Sequence, residues 1–362
     1  MKFDSTIEIG NRKIGDNYPT FITFEAGPTH NGLKSAKELA KIASESGADA
    51  IKFQILDSER LMADKEQLFE YNYIVNKKTN SIAQKKESLF EILKRREMTK
   101  DEWSDLKKYC DKIKLPFFAT VAFEDEIDFI KEIGCESVKI ASADVNFYEL
   151  IKKASETGLA IQLDTGNSTI GEVEKAVRVV NDAGNKKIIV HHCPTGYPAK
   201  LDSVNLNIIK SLKSLFNFPI AFSDHSPGYD MDIAAVSMGA NLLEKTITLD
   251  KSQESVEHIM SLEPDESYQF VKKIRDLEKA FGSNVKILKN EDIEKRKLIR
   301  RSPYVLSDFE KGTNLKELKV IFSRPGLGVS PEEFNKFLSE GKLARCLKKG
   351  DIIKHKDIVF SS

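Results

Sequence analysis

Lys52, Lys139 and Lys245 each fall inside a short apolar run, and other runs of the same kind close on carboxylates, hydroxyls or imidazoles. One run reaches Glu25, followed by His30-Asn31; others carry Gln54, Thr120, Ser142 and Asp164-Thr165. His191-His192 leads on to Thr195 and Tyr197, Ser223-Asp224-His225 closes another run, and Glu244-Lys245-Thr246 precedes Glu257-His258. Such groups are costly inside a strand unless they find partners. One alone reads as a satisfied core polar group, but their recurrence on every run points to one highly charged pocket. Lysines with the hydroxyls of Ser142 and Ser223 suit a phosphate or a carboxylate. Two other readings of the lysines stay open: pairing with Glu25, Asp164 or Glu244, or service as a Schiff-base nucleophile. His225, beside Asp224 and Ser223, is the strongest metal candidate. No HExxH or cysteine spacing accompanies it, which favours a loosely held, partly hydrated divalent ion over a structural zinc.

The elements that position these residues repeat. Apolar runs at 21–27, 50–55, 116–122, 137–143, 160–166, 188–194, 220–226 and 241–249 alternate with helical patterns, two of them opened by the capping-box pairs Thr99/Glu102 and Thr169/Glu172. Eight strand and helix units over about 260 residues suit an α/β fold of the (β/α)₈ TIM-barrel kind, whose chemistry gathers at the carboxyl ends of the strands. A doubly wound sheet is the alternative, but no GxGxxG follows any strand. About forty polar residues between Ile55 and Met98, through Tyr71 and Asn72, form either a lid or a surface helical hairpin. Residues 1–18 read as a hairpin plugging the barrel's lower end. The expected division is a catalytic barrel over 1–285, a charged linker over 286–300 and a small β-rich domain over 301–362, with turns at Lys311-Gly312, 324–328 and Lys349-Gly350.

The chain has 362 residues, with 56 Lys+Arg balanced by 56 Asp+Glu. Zero net charge argues against a protein that coats nucleic acid or an anionic membrane. No apolar run approaches the ~20 residues of a membrane helix, and Met1-Lys2-Phe3-Asp4 does not open a signal peptide. Four cysteines without CxxC spacing read as reduced thiols of a cytoplasmic protein.

Taken together, the strand-end segments resemble the sialic acid synthase family. Residues 24–32 (FEAGPTHNG) resemble that family's AEIGxNHNG, and 47–54 (GADAIKFQ) match GADAVKFQ. Lys139-Ile140-Ala141-Ser142 matches KIAS, Phe222-Ser223-Asp224-His225 matches YSDH, and 261–265 match SLEPD. Residues 323–328 (SRPGLG) look like the RPGxG of the family's C-terminal antifreeze-like (SAF) domain. The resemblance implies a TIM barrel joining phosphoenolpyruvate to a mannosamine-type or 2,4-diacetamido-trideoxyhexose sugar, giving a nonulosonic acid and phosphate. It further implies a domain-swapped homodimer and a divalent Mn²⁺ or Mg²⁺. Carried over by position, Lys52, Thr120, Lys139, Ser142, Tyr197 and Ser223 hold phosphoenolpyruvate. Gln54, Asn72, Glu257 and an Arg324 from the partner subunit meet the sugar, Glu25 and Glu244 act in catalysis, and His225 ligates the metal.

Three departures bear on this reading. Thr246 occupies the place of the family's second metal-binding histidine, so the ion is held by His225 with substrate and water, or Glu257 or His258 substitutes, or the enzyme works without metal. Asp164 replaces a usual serine, and Thr195 a frequent asparagine. A non-catalytic sugar-binding or scaffolding paralogue and a Schiff-base aldolase are the competing functions.

Overall fold

The computed structural model describes residues 1–360. The chain divides into two compact units, Met1–Phe281 and a second beginning at Gly282. The first opens with an antiparallel hairpin of β1 (Thr6–Ile9) and β2 (Arg12–Gly15). Next come β3 (Phe21–Glu25) and β4 (Ala50–Gln54), a ribbon of β5 (Leu68–Asn76) and β6 (Ser81–Ser88), and then β7 (Phe117–Val121) and β8 (Ser137–Ile140). The series continues through β9 (Ala160–Asp164), β10 (Ile188–His192), β11 (Ile220–Asp224) and β12 (Leu242–Thr246). Eight of these close into a parallel barrel in the order β10-β11-β12-β3-β4-β7-β8-β9, the (β/α)₈ architecture. Both expected capping boxes form, at Thr99 before Lys100–Lys112 and at Thr169 before Ile170–Asp182.

Strand alternation organises the interior. Phe21, Ala50, Phe118, Ala160, Ile189, Ala221 and Leu242 form one apolar layer with Ile7, Ile9 and Ile14 of the β1–β2 hairpin, which seals the amino ends of the strands. Two residues further along the same strands stand Thr23, Lys52, Thr120, Gln162, His191, Ser223 and Glu244. A period of two keeps them on the same inward face. Outward residues such as Phe24, Ile51, Val138, Leu163, Val190 and Phe222 join the helices in the main core.

The long insert is not the helical hairpin that was the alternative to a lid. It is a twisted antiparallel ribbon, β5 on β6, flanked by the short helices Ser58–Leu61 and Leu89–Lys94. Its apolar residues alternate, so Tyr71 packs inward with Ile92 and Val256, while Leu68, Val75 and Ile82 are exposed. Ion pairs from Lys77 to Asp250 (2.6 Å) and from Lys85 to Glu254 (2.6 Å) tie the ribbon to the segment after β12.

In the second unit the charged stretch holds a helix, Asn290–Ile299, with Glu291 and Asp292 favouring its amino end. Then β13 (Ser302–Val305) pairs with β14 (Val320–Ser323), and β15 (Gly341–Leu343) with β16 (Ile358–Phe360), around a core of Val305, Leu315, Val329, Phe334, Leu343 and Ile353. A side chain at Gly328 would run into the Ile353 carbonyl oxygen and meet Ile352 Cγ1 at 2.7 Å, the packing reason for glycine there. Cys110, Cys135 and Cys193 are buried and Cys346 is exposed, all as free thiols. No helix among the described residues is long and apolar enough to cross a membrane.

Candidate active site

The polar layer above the apolar one is a network of buried charges. Lys139, fully buried, places Nζ 2.6 Å from Glu244 Oε1, 3.0 Å from Asp164 Oδ2 and 3.0 Å from Ser223 Oγ. Lys52 pairs with Glu25, lies 2.9 Å from Glu244 Oε1 and donates to Thr120 Oγ1 at 3.3 Å. The carboxylate-pairing reading of these two lysines therefore describes the ligand-free site. Burial would raise the Glu244 carboxyl, but Lys139 and Lys52 outweigh it and hold it well below the usual range. Among the described residues, its other oxygen, Oε2, is buried without a partner. An acceptor left in that state costs about 1–3 kcal/mol.

Glu25 is fixed from both sides. The Gly27 N–H donates to Oε1 at 2.5 Å, and Gln54 Nε2 donates to Oε2 at 3.4 Å. A Cβ at Gly27 would meet Gln54 Cγ at 2.5 Å and Glu25 Oε1 at 2.8 Å, which accounts for the glycine of the EAGP segment. Burial raises the Glu25 carboxyl, Lys52 opposes that, and Glu244 reinforces it. Beneath them Gln162 Nε2 donates to Ser137 Oγ, leaving Gln162 Oε1 to accept from His191 Nε2 at 3.0 Å. His191 Nδ1 then faces Ser223 Oγ at 2.9 Å. Burial, aided by Lys139, pushes the imidazole down to about 3, so it is neutral in use. Gln162 was not singled out by sequence, although its place one period above the apolar layer is readable.

Lys245 does not join the pocket. Because Glu244 faces inward, its neighbour faces the helices, where Lys245 pairs with Asp224 and donates to Ser226 O at 2.5 Å. The convergence of three lysines expected from sequence is thus a convergence of two.

Above the floor opens a cavity of about 350 Å³. Glu25, Lys52, Gln54, Thr120, Ser142 and Glu244 line it from the barrel, joined by Asp164, Tyr197, His225 and Glu257. Ser142 Oγ accepts from the Gly166 N–H at 2.9 Å. Lys139 and Ser223 lie just beneath the lining. Asn72 is exposed on the ribbon opposite Gln84 and does not line the cavity. Nor does His30, whose ring packs edge-on against Phe53 and Trp103. Arg324 is exposed on the second unit. Phe69, Leu89, Ile92, Leu93 and Val256 give the cavity an apolar wall, and Arg96 lies in the same wall.

The donor set does not fit a divalent ion held by protein ligands. His225 spends Nδ1 on the Pro194 carbonyl (3.0 Å), which leaves Nε2 as its one lone pair, and the Tyr197 ring packs against its ring at 4.7 Å, tilted by 38°. Thr246 brings a hydroxyl where an imidazole is expected, and His258 is turned to Thr248 Oγ1 at 2.7 Å. Among the described residues no three His, Cys, Asp or Glu side chains group as a metal site requires.

Glu257 takes a left-handed backbone (φ 73°) at the cavity edge, the kind of strain that concentrates at functional sites. Burial, reinforced by Glu25 and opposed by Arg96 and Lys52, pushes its carboxyl up to about 8. The folded protein then holds a proton that the unfolded chain releases near 4.5, so stability falls as pH rises through that window. His30, His191 and His258 are pushed down to about 4, 3 and 4, and their contribution is complete by pH 6.5. Between pH 6.5 and 8, Glu257→Gln is expected to flatten the decline by up to about 1.4 kcal/mol per pH unit, read from denaturant midpoints. Parallel slopes for the two proteins would contradict the assignment.

The sequence and the fold have close counterparts. The NeuB family model matches residues 39–286. An uncharacterized protein of Methanocaldococcus jannaschii is 36% identical over 98% of this chain and 98% of its own length. The N,N'-diacetyllegionaminic acid synthase of Campylobacter jejuni is 32% identical over 92% of this chain and 99% of its own. Among solved structures, the N-acetylneuraminic acid (sialic acid) synthetase of Leptospira borgpetersenii superposes with a TM-score of 0.70 at 32% identity, covering 82% of this chain and 97% of that one.

Proposed function

Because the chain belongs to the NeuB family, we propose that it is a synthase condensing phosphoenolpyruvate with the open-chain aldehyde of an N-acylated hexosamine, giving a nonulosonic acid and inorganic phosphate. The observation that carries this reading is the paired-lysine floor under a cavity whose remaining buried acceptor, Glu244 Oε2, has no partner. Phosphoenolpyruvate brings a carboxylate and a phosphate. These take over the lysines from Glu25, Glu244 and Asp164, with Thr120, Ser142, Tyr197 and Ser223 adding donors.

Carbon 3 of the enol attacks the aldehyde carbon, forming the C–C bond, and the aldehyde oxygen takes a proton to become a hydroxyl. Water adds to the cationic carbon 2, losing a proton, and the tetrahedral adduct expels phosphate to leave the keto acid. Glu25 serves the aldehyde oxygen and His225 lines the same cavity, while Glu244 Oε2 accepts from a sugar hydroxyl. Gln54 and Glu257 orient the sugar.

The antifreeze-like reading of the second unit, and a homodimer that brings Arg324 to the neighbouring barrel, belong to the same proposal. Arg324→Ala is then expected to raise the sugar KM about 10-fold or more with little change in KM for phosphoenolpyruvate. Unchanged sugar kinetics would remove that contact.

The direct test is phosphate release from phosphoenolpyruvate with N-acetylmannosamine and 2,4-diacetamido-2,4,6-trideoxyhexoses, with the acid product identified by mass. Release with none of them overturns the proposal. Parallel assays with chelator, manganese or magnesium decide whether substrate oxygens complete an ion site that the protein's own donors leave short.

A further inference from the structure

One charged side chain in the cavity wall has no part in the chemistry above. Arg96 follows the helix Leu89–Lys94 and is 5% exposed. It lines the cavity with Ile92, Leu93, Val256 and Glu257. A guanidinium offers five N–H donors in a planar fork. Among the described residues this one makes a single side-chain hydrogen bond, from Nη2 to Ser255 Oγ at 3.1 Å, and it has no carboxylate within the 4.0 Å of an ion pair. Its neighbour Arg95 shows the contrast, placing both Nη atoms on Glu87 at 3.3 and 2.8 Å. A buried cation with spare donors is expensive to keep. Stability does not explain it, since a leucine would suit the apolar wall better.

Resting on the synthase reading, we propose that Arg96 is the specificity-determining residue for the acceptor sugar. Its free donors take a planar oxygen acceptor, an amide carbonyl or a carboxylate, on the sugar substituent that lies against Ile92, Leu93 and Val256. The fork matches two coplanar lone pairs, which a hydroxyl does not present. The apolar neighbours would cover an acetamido methyl. A carboxylate would instead neutralise the cation. Both chemistries share the planar oxygen, and a sugar panel separates them.

The test compares wild type with Arg96→Leu and Arg96→Lys on three matched N-acetylhexosamines that carry, at one position, an acetamido group, a carboxylate or a hydroxyl. Phosphate release and calorimetric binding of each sugar are both read. In Arg96→Leu the kcat/KM preference for the planar-acceptor sugar over the hydroxyl sugar is expected to fall about 10- to 150-fold, carried by sugar KM. Arg96→Lys, which keeps the charge and loses the fork, should recover only part. Arg96→Leu is expected to melt no lower than wild type, so the loss is not one of folding. The inference is overturned if the preference is unmoved, or if all three sugars lose equally. If wild type releases no phosphate with any sugar, the synthase reading fails. Wild-type release with an unmoved preference fails the inference alone.

Discussion

Lys139→Met is expected to cost the barrel about 3–5 kcal/mol and to reduce phosphate release at least about 100-fold. Lys139 is fully buried and holds two carboxylates and a hydroxyl from three different strands, β12, β9 and β11. Methionine fills much of the same volume but leaves Asp164 and Glu244 with Lys52 as the remaining cation of the floor. Removing one partner of a buried pair costs far more than the pair contributes net. In a unit of this size the loss corresponds to a melting shift on the order of 10 °C. Adding Asp164→Asn removes one stranded charge, so the double variant should regain part of the stability and none of the activity. A single-variant loss below about 1 kcal/mol would mean that solvent reaches the floor and the network is not buried as described.

Gly328→Ala is the second large effect, and it falls on the other unit. One methyl would press on the Ile353 carbonyl and on Ile352 Cγ1, with backbone on one side and a half-buried side chain on the other. The carbonyl, which accepts from the Val329 N–H, cannot yield without moving Val329 and Ile353, both buried in the small core. The expected cost is about 3 kcal/mol or more. So small a unit has little stability in reserve, and amides of 302–360 should lose hydrogen-exchange protection while those of the barrel strands keep theirs. Retained protection in 302–360 would show that the segment carrying Ile353 can retreat.

The barrel was legible because its signals are local: apolar runs of strand length, and capping pairs three residues apart. Glu25, Lys52, Gln54, Thr120, Ser142, Tyr197, His225 and Glu244 were legible as polar breaks at strand ends. Lys245 was misplaced because adjacency in sequence was taken for adjacency in space, whereas a strand sends Glu244 and Lys245 to opposite faces. The β5–β6 ribbon escaped because the mostly polar β6 (Ser81–Ser88) and the turn before it hid the short apolar alternation of β5. Its inward face rests on Tyr71, Ile92 and Val256, which a run of Glu, Asn and Lys obscures. Arg96 gave no signal at all. Its significance lies in having no ion-pair partner among the described residues, and sequence does not record absences of contact.

The ribbon has a consequence for how such an enzyme diversifies. It departs from the chain after β4 and returns before β7, so β4 and β7 remain hydrogen-bonded neighbours whatever the insert contains. The wall built from Phe69, Leu89, Ile92 and Arg96 is therefore carried by one insert, on stretches of chain other than those that carry the lysine floor. Mutational tolerance and chemical conservatism are parted along the polypeptide itself.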